Sequence, residues 1–528
     1  MSELYKIIAS VVAAVLLCCG TRTAIGAMQQ SGYKNAPFFR WLQRKDNLFF
    51  NRLAVLSLCL ALSSAVTSLC FSFLGVKGGL FCAAIPFFAL CLAFVWAAGK
   101  YALKVPLKNT GRSNRLFAFY LLLTAVIGYG VLYLLGWLKE LNGSQTYGLI
   151  AYLPFAIMPM LLPLILGAAN GISSVFENER NRKFVKRAGQ VLDECQITRI
   201  GVVGSFGKTS VKNILKTLLS EKYAVVETPA SFNTPVGIAK TVFSDGFSSK
   251  QVFIAEMGAR KKGDIAELCA LVKPDYALFT GVCEQHIGSF GSIENVFAEK
   301  SEILRCGAKK VVCGNGLKAY IKEKNSCVIY ADEVQNLSLQ ATKTAFTLSY
   351  GNETLTVETA LLGESAAENI ALCVKLCLEI GLTKDEVVRG LKKIAPIPHR
   401  LQLIENGGVY ILDDGYNCNP RGAKIAIDAL SRFGGGKCAV TPGIVECGVL
   451  EEDINAKLGE WLAQANLDKV ILVGETLVGA VKAGYLAAGG DGARLQLVKT
   501  LEEGQKILKD WLNTGDAVLF LNDLPDVY

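Results

Sequence analysis

The stretch Ile200-Gly201-Val202-Val203-Gly204-Ser205-Phe206-Gly207-Lys208-Thr209-Ser210 decides the fold of this chain. An apolar run that reads as a strand passes into a glycine turn and then into Lys and Thr at a helix start. That order builds a phosphate cradle. Glycines let backbone N–H groups converge on an anion, and the helix N-terminus adds a favourable field. Lys208 then sits on the β- and γ-phosphates and the Thr209 hydroxyl on Mg²⁺. Gly204, Ser205, Phe206, Gly207, Lys208, Thr209 and Ser210 are therefore read as the ATP-binding loop. Val202 stands at the first glycine position of the general pattern.

Downstream, Val252-Phe-Ile-Ala-Glu256-Met-Gly258-Ala259 reads as a buried strand ending in a carboxylate. Gln285-His286-Ile-Gly-Ser-Phe-Gly291-Ser292 and Ala298-Glu-Lys300-Ser-Glu302-Ile follow. A hydroxyl, a carboxylate, an imidazole and an amine thus come near the ends of successive αβ units, and in a doubly wound fold those ends converge on one crevice. One Mg²⁺ can use Thr209 and Glu256 beside the phosphates. A second can use Glu256 and His286 beside an acceptor.

Further motifs are Ser231-Phe-Asn233-Thr-Pro-Val-Gly237 and Asp413-Asp414-Gly-Tyr416-Asn417-Cys-Asn419-Pro420. With the loop, Glu256–Ala259, His286–Ser292 and Lys300, they make the chain from about Ile197 onward resemble the Mur ligase family, which forms amide bonds in peptidoglycan precursors. The nearest branch is the one that adds D-alanyl-D-alanine to a muramoyl tripeptide. The resemblance implies carboxylate activation by ATP through an acyl phosphate, with Lys208, His286 and Lys300 as catalytic residues. Lys300 matches the family's carbamylated lysine and joins Thr209, Glu256 and His286 as a metal ligand. Asn233, Asn369 and Arg400 are implied at the nucleotide, Asp414 at its ribose, and Asn417 and Asn419 at substrate or in domain closure. The implied partners are a muramoyl-peptide acceptor, soluble or lipid-linked, and an amine such as D-alanyl-D-alanine.

The chain departs from the family at Ser365-Ala366-Ala-Glu-Asn369, where only Asn369 survives of an adenine-side motif. It departs again at Thr441-Pro-Gly443-Ile-Val-Glu446-Cys-Gly448, near the amine pocket. Two other readings are a membrane-bound poly-γ-glutamate synthase and an ATP-driven transporter or switch. The Asp413–Pro420 motif favours the first branch, and the scarcity of ionisable groups in the apolar segments disfavours transport.

The amino-terminal third holds five apolar segments: about Leu4–Gly20, Leu53–Leu74, Gly79–Ala98, Leu116–Leu138 and Tyr147–Ala168. All but the first have the length of a bilayer span. Arg and Lys cluster after the first, third and fifth, which places those exits in the cytoplasm. The expectation is a multi-pass membrane protein with cytoplasmic catalytic domains, in which spans replace the family's usual domain for the UDP part of the acceptor. A 51% apolar fraction and a net charge of +9 agree with basic loops flanking a membrane. Those basic residues accompany no recognition motif, so nucleic acid is not expected as a partner. The 17 Cys include no C-x-x-C pair and read as small apolar residues of a reducing compartment.

The fold class is thus an α-helical transmembrane domain followed by α/β domains, a P-loop central one and a Rossmann-like C-terminal one. The expected boundaries are 1–169 for about five membrane helices, 170–197 for a juxtamembrane linker, 198–396 for the ATP-binding central domain and 397–528 for the C-terminal domain. Strands are expected at Ala224–Glu227, Val252–Glu256, Tyr276–Thr280, Val311–Cys313, Tyr410–Asp413, Cys438–Thr441, Val470–Val473 and Ala517–Leu521. A β insertion is expected over Cys327–Ala360.

Overall fold

The computed structural model describes residues 3–43, 48–74, 89–96, 105–142, 153–284, 287–322, 325–350, 353–416, 418–445 and 447–522. It divides into two compact units, Met1–Asn181 with Leu524–Tyr528, and Arg182–Asp523.

The first unit is helical. Helices Glu3–Gly20, Arg22–Gln30, Asn35–Leu42, Leu48–Leu74 and Gly111–Asn142 precede a helix at Leu153–Glu194. Leu17, Met28, Phe38, Trp41, Tyr120 and Leu162 share a core cluster. Large apolar side chains also face outward, among them Leu122, Val126, Leu134 and Leu164. Among the described residues, two helices are long and apolar enough to cross a membrane, Gly111–Leu134 and Ile157–Glu194. A bent pair, Lys6–Gly20 with Arg22–Gln30, makes a third if it counts as one span.

Of the five expected spans, Leu116–Leu138 and the later part of Tyr147–Ala168 fall on the two long helices and Leu53–Leu74 on the helix Leu48–Leu74. The segment expected at Leu4–Gly20 is prolonged through a 54° bend. At that bend the Thr21 hydroxyl donates to the Leu17 and Cys18 carbonyls at 3.0 and 3.2 Å, the back-bonding that bends helices. Most of Gly79–Ala98 and the start of Tyr147–Ala168 lie outside the described residues. The helix Leu153–Glu194 runs through position 170, where the sequence suggests a change from span to linker.

The second unit holds two α/β layers. Strands β1 (Thr198–Val203), β2 (Val225–Glu227), β3 (Val252–Glu256), β4 (Tyr276–Phe279), β5 (Lys310–Cys313) and β6 (Val328–Tyr330) form a sheet ordered β2-β3-β1-β4-β5-β6. Every pairing in it is parallel, and its central strands are apolar on both faces, as a sheet covered by helices requires. The expected insertion is corrected in one respect: its first strand, β6, pairs with β5 and completes this sheet. Only β7 (Gln335–Leu339), β8 (Thr344–Tyr350) and β9 (Glu353–Thr359) form a separate antiparallel sheet. Phe346, Leu348, Leu355 and Val357 of that sheet share a core with helix Glu364–Ile380.

The second layer is ordered β10-β11-β15-β12-β13-β14. It comprises β10 (Gln402–Asn406), β11 (Val409–Asp414), β12 (Lys437–Thr441), β13 (Lys469–Val473), β14 (Leu495–Val498) and β15 (Ala517–Leu521). Only the β10–β11 hairpin is antiparallel. The turn leading into β10 holds His399 and Leu401 at φ +59° and +47°, a left-handed backbone uncommon for side chains of that size. Arg400 projects from between them.

Candidate active site

The carboxyl end of β1 runs into the glycine turn. Gly207 takes φ +74° and caps helix Lys208–Leu219. A side chain on Gly204 would come within 1.9 Å of the Thr280 hydroxyl, and one on Gly207 within 2.7 Å of Asn369 Oδ1. Both positions therefore need glycine. The end of β4 holds the turn: Thr280 Oγ1 donates to the Phe206 carbonyl at 2.5 Å, and Ser205 N donates to the Gly281 carbonyl at 2.8 Å. The Ser205 hydroxyl is buried and has no hydrogen-bond partner. It lines the adjoining cleft, so the cradle offers an unused polar atom where a phosphate oxygen would lie.

Lys208 Nζ donates to the Gly204 carbonyl at 2.7 Å. Burial lowers its pKa; Glu256 opposes that shift and Arg400 adds to it. Glu256, 2% exposed at the end of the fully buried β3, accepts from Thr209 Oγ1 at 3.0 Å and from Asn233 Nδ2 at 3.2 Å. Lys212 lies 3.4 Å from it and is itself 1% exposed. Lys212 also donates to the Thr228 and Ala230 carbonyls at 2.7 and 2.5 Å. A buried pair with its remaining hydrogen-bonding positions filled escapes most of the desolvation cost.

A hydroxyl and a carboxylate side by side are oxygen donors suited to a hard cation that takes its other ligands from phosphate and water. Among the described residues, no three His, Cys, Asp or Glu gather as a self-sufficient metal cage. His286, expected at a second metal, lies outside the described residues, as does Asn417.

Lys300 ends helix Ile293–Lys300, which Ser292 caps through the Asn295 N–H. Its side chain is 1% exposed and lines the same cleft. Burial, reinforced by the charge of Lys208, lowers its pKa to about 7. A sizeable neutral fraction at neutral pH makes it a nucleophilic amine rather than a fixed cation.

The C-terminal domain supplies the opposite wall. Arg400 Nη2 reaches Thr209 Oγ1 at 3.5 Å, and its guanidinium lies 4.4 Å from the Tyr416 ring centre. The Tyr416 hydroxyl hydrogen-bonds Ser231 Oγ. Asp414 accepts from Leu401 N at 3.0 Å; burial raises its pKa to about 6 against the pull of Arg400. Asn419 accepts from Gly422 N at 2.9 Å and so caps helix Pro420–Leu430. Arg421 binds both carboxylate oxygens of Glu368 at 2.7 Å, and its guanidinium lies 4.6 Å from the Phe206 ring centre.

Two cavities result. The larger, about 420 Å³, is lined by Lys208, Thr209, Asn233, Glu256, Lys300 and Arg400 among others. The smaller, about 110 Å³, is bounded by Phe206, Leu361, Asn369, Asp414 and Arg421. Apart from Gly204, which shapes the turn behind them, every described residue expected at the site lines one cavity or both. Sequence reasoning missed Lys212, Ser231 with Tyr416, and Arg421 with Glu368. Lys212 left a local signal, a charge on the otherwise apolar face of Val211, Ile214 and Leu215, and Ser231 and Tyr416 lie within the motifs quoted from the sequence.

Residues 202–377 match the family model of the Mur ligase middle domain, and residues 399–522 that of the Mur ligase glutamate ligase domain. The UDP-N-acetylmuramoyl-tripeptide–D-alanyl-D-alanine ligase of Bacillus subtilis is 27% identical over 62% of this chain and 74% of its own. Among solved structures, MurF ligase from Thermotoga maritima in complex with ADP superposes with a TM-score of 0.57 at 26% identity. It covers 65% of this chain and 80% of its own. The UDP-N-acetylmuramoylalanyl-D-glutamyl-2,6-diaminopimelate–D-alanyl-D-alanyl ligase of Acinetobacter baumannii has the same fold, with a TM-score of 0.57 at 22% identity over 66% of this chain and 77% of its own.

Proposed function

Because this chain belongs to the Mur ligase family of ATP-dependent, ADP-forming amide ligases, we propose that it adds D-alanyl-D-alanine to a muramoyl tripeptide. The observation that carries this reading is the cleft in which Lys208, Thr209, Glu256 and Lys300 face Arg400. The activity named for the Bacillus subtilis relative supports the choice of substrates.

In the first step an acceptor carboxylate oxygen attacks the γ-phosphorus of ATP, giving an acyl phosphate and ADP. In the second the dipeptide amine attacks the acyl carbon, loses a proton and expels phosphate. Little covalent work falls to the protein, which positions the groups and offsets charge. Lys208 and Arg400 draw off phosphate charge that would repel the incoming carboxylate. Ser205, Gly207 and Ser210 cradle the phosphates, Asp414 takes the ribose, and Asn369 with Phe206 bounds the base side. Thr209 and Glu256 would hold Mg²⁺, with Asn233 orienting the carboxylate; the ion when bound supplies further charge neutralisation. The Lys300 amine would take up CO₂ and release a proton, and the resulting carbamate, with Glu256 and His286, would hold a second cation. Asn417 and Asn419 act in substrate positioning and closure.

We assign 1–169 to a membrane domain, 170–197 to a linker, and 198–396 and 397–528 to the two ligase domains. Two long apolar helices with outward-facing apolar side chains support the first assignment. The basic flanks noted in the sequence support a cytoplasmic position for the ligase domains.

The test is ATP-dependent phosphate release with product mass spectrometry on the detergent-purified protein. D-alanyl-D-alanine is supplied with UDP-linked or lipid-linked muramoyl tripeptide. A product heavier by the dipeptide less water is expected. The preferred acceptor shows whether the apolar helices present a lipid-linked substrate. No product with either acceptor overturns the reading.

A further inference from the structure

The segment joining β3 to helix Asp264–Val272 reads Ala259-Arg260-Lys261-Lys262-Gly263. Arg260 and Lys261 line the larger cleft and not the smaller one. The loop that carries them is fixed. Asp264 Oδ2 accepts from Arg260 N at 2.8 Å and Lys261 N at 3.0 Å. The buried Glu299 accepts from Gly263 N at 2.7 Å and Ile265 N at 2.8 Å. Glu299 directly precedes Lys300, so the same helix end sets both the reactive amine and the cationic loop.

The loop's charges are largely uncommitted. Among the described residues Arg260 and Lys262 make no ion pair, and Lys261 reaches only Asp264, at 3.9 Å with its own side chain 79% exposed. The cleft's carboxylates do not absorb them. Glu256 is engaged by Thr209, Asn233 and Lys212, Asp264 bonds the loop backbone, and only Glu267 remains. Nor do the ATP phosphates account for them, since the glycine turn, Lys208 and Arg400 already serve that end.

We propose that Arg260 and Lys261, backed by Lys262, form a carboxylate-binding subsite for the non-reacting acids of the acceptor peptide. The proposal rests on the ligase reading above. The peptide in the name of the Acinetobacter protein contains glutamyl and diaminopimelate residues, each with two carboxyl groups. Chain bonding consumes one glutamyl carboxyl and ligation consumes one of diaminopimelate, which leaves two free acids beside the reacting one. Such a peptide approaching ATP meets its negative charge, and fixed cations on the acceptor side offset that repulsion and set which acceptor is used.

The experiment uses the full-length protein in detergent. UDP-muramoyl tripeptide with free acids is compared with the matched acceptor whose non-reacting carboxyls are carboxamides. Both ligation kinetics and equilibrium binding are measured. The wild type should favour the acid form by about tenfold or more in kcat/KM, the scale of one charge-assisted hydrogen bond. R260Q/K261Q/K262Q should raise KM for the acid form by a similar factor and lose the preference, while KM for ATP stays within about twofold, since the loop lies outside the nucleotide contacts. R260K should retain part of the preference. A triple variant that still discriminates overturns the subsite, as does equal binding of the two acceptors by the wild type or binding of neither. Charge-selective binding without ligation overturns the ligase reading and leaves the subsite standing.

Discussion

Lys300 concentrates the chemistry at the residue scale. An amine buried beside Lys208 with its pKa lowered to about 7 is the kind that adds CO₂ near neutrality. Removing bicarbonate should depress turnover and restoring it should recover activity, with a carbamate carbon visible by ¹³C NMR in the wild type and absent in K300A. Asp414 gives a pH prediction. Its folded pKa, about 6, lies above the ordinary 3.8. The stability it contributes is full below pH 3.8 and is lost as pH rises through 6, while the ionised form that the proposed ribose contact requires appears. KM for ATP should therefore fall as pH rises through about 6, and D414N should flatten that profile. Lys212→Met strands the buried Glu256 charge and should cost about 3 kcal/mol in thermal or denaturant unfolding. The cradle residues and Glu256 were readable in the sequence because each sits in a short run that carries its own geometry. The partner of Glu256 showed only as a charge on an apolar helix face, and its pairing with that carboxylate emerges once the strand behind it is in place.

Elements explain what else was hidden. The core strands β1, β3, β4, β12, β13 and β15 announce themselves as apolar runs. β10 does not: Gln402-Leu-Ile-Glu-Asn406 is a half-exposed edge strand, and its signal is the Gly407-Gly408 turn that pairs it with β11. Val328–Tyr330 is too short to declare whether it joins the parallel sheet or the insertion. The same limit hides contacts between elements. Arg421, in the first turn of helix Pro420–Leu430, grips Glu368 on helix Glu364–Ile380 and covers the Phe206 ring in the cradle. Neither partner is adjacent in the chain. Removing the guanidinium in R421M loses the ion pair that Nη2 makes with both Glu368 oxygens and a ring contact together, so KM for ATP should rise about tenfold. R421K should recover only part, because an ammonium does not cover the Phe206 ring as a planar guanidinium does. An unchanged KM for ATP in R421M would deny the contact any part in nucleotide binding.

At the scale of the whole molecule the chain divides inside the helix Leu153–Glu194, between Asn181 and Arg182. The second unit has its own cores, built from both of its large sheets. A chain starting at Arg182 should fold, unfold cooperatively and bind ATP; failure to fold would make the amino-terminal helices part of its stability. The smaller cavity has walls from Phe206 and Asn369 on one lobe of this unit and from Asp414 and Arg421 on the other. A nucleotide held there is gripped by two bodies, and the spent one leaves only when they part. Parting releases the Arg421–Glu368 pair and then displaces a whole lobe through solvent against drag. An enzyme limited in this way keeps time by friction, and its turnover should slow in step with added viscosity of sucrose or glycerol while the chemistry in the cleft stays unaltered.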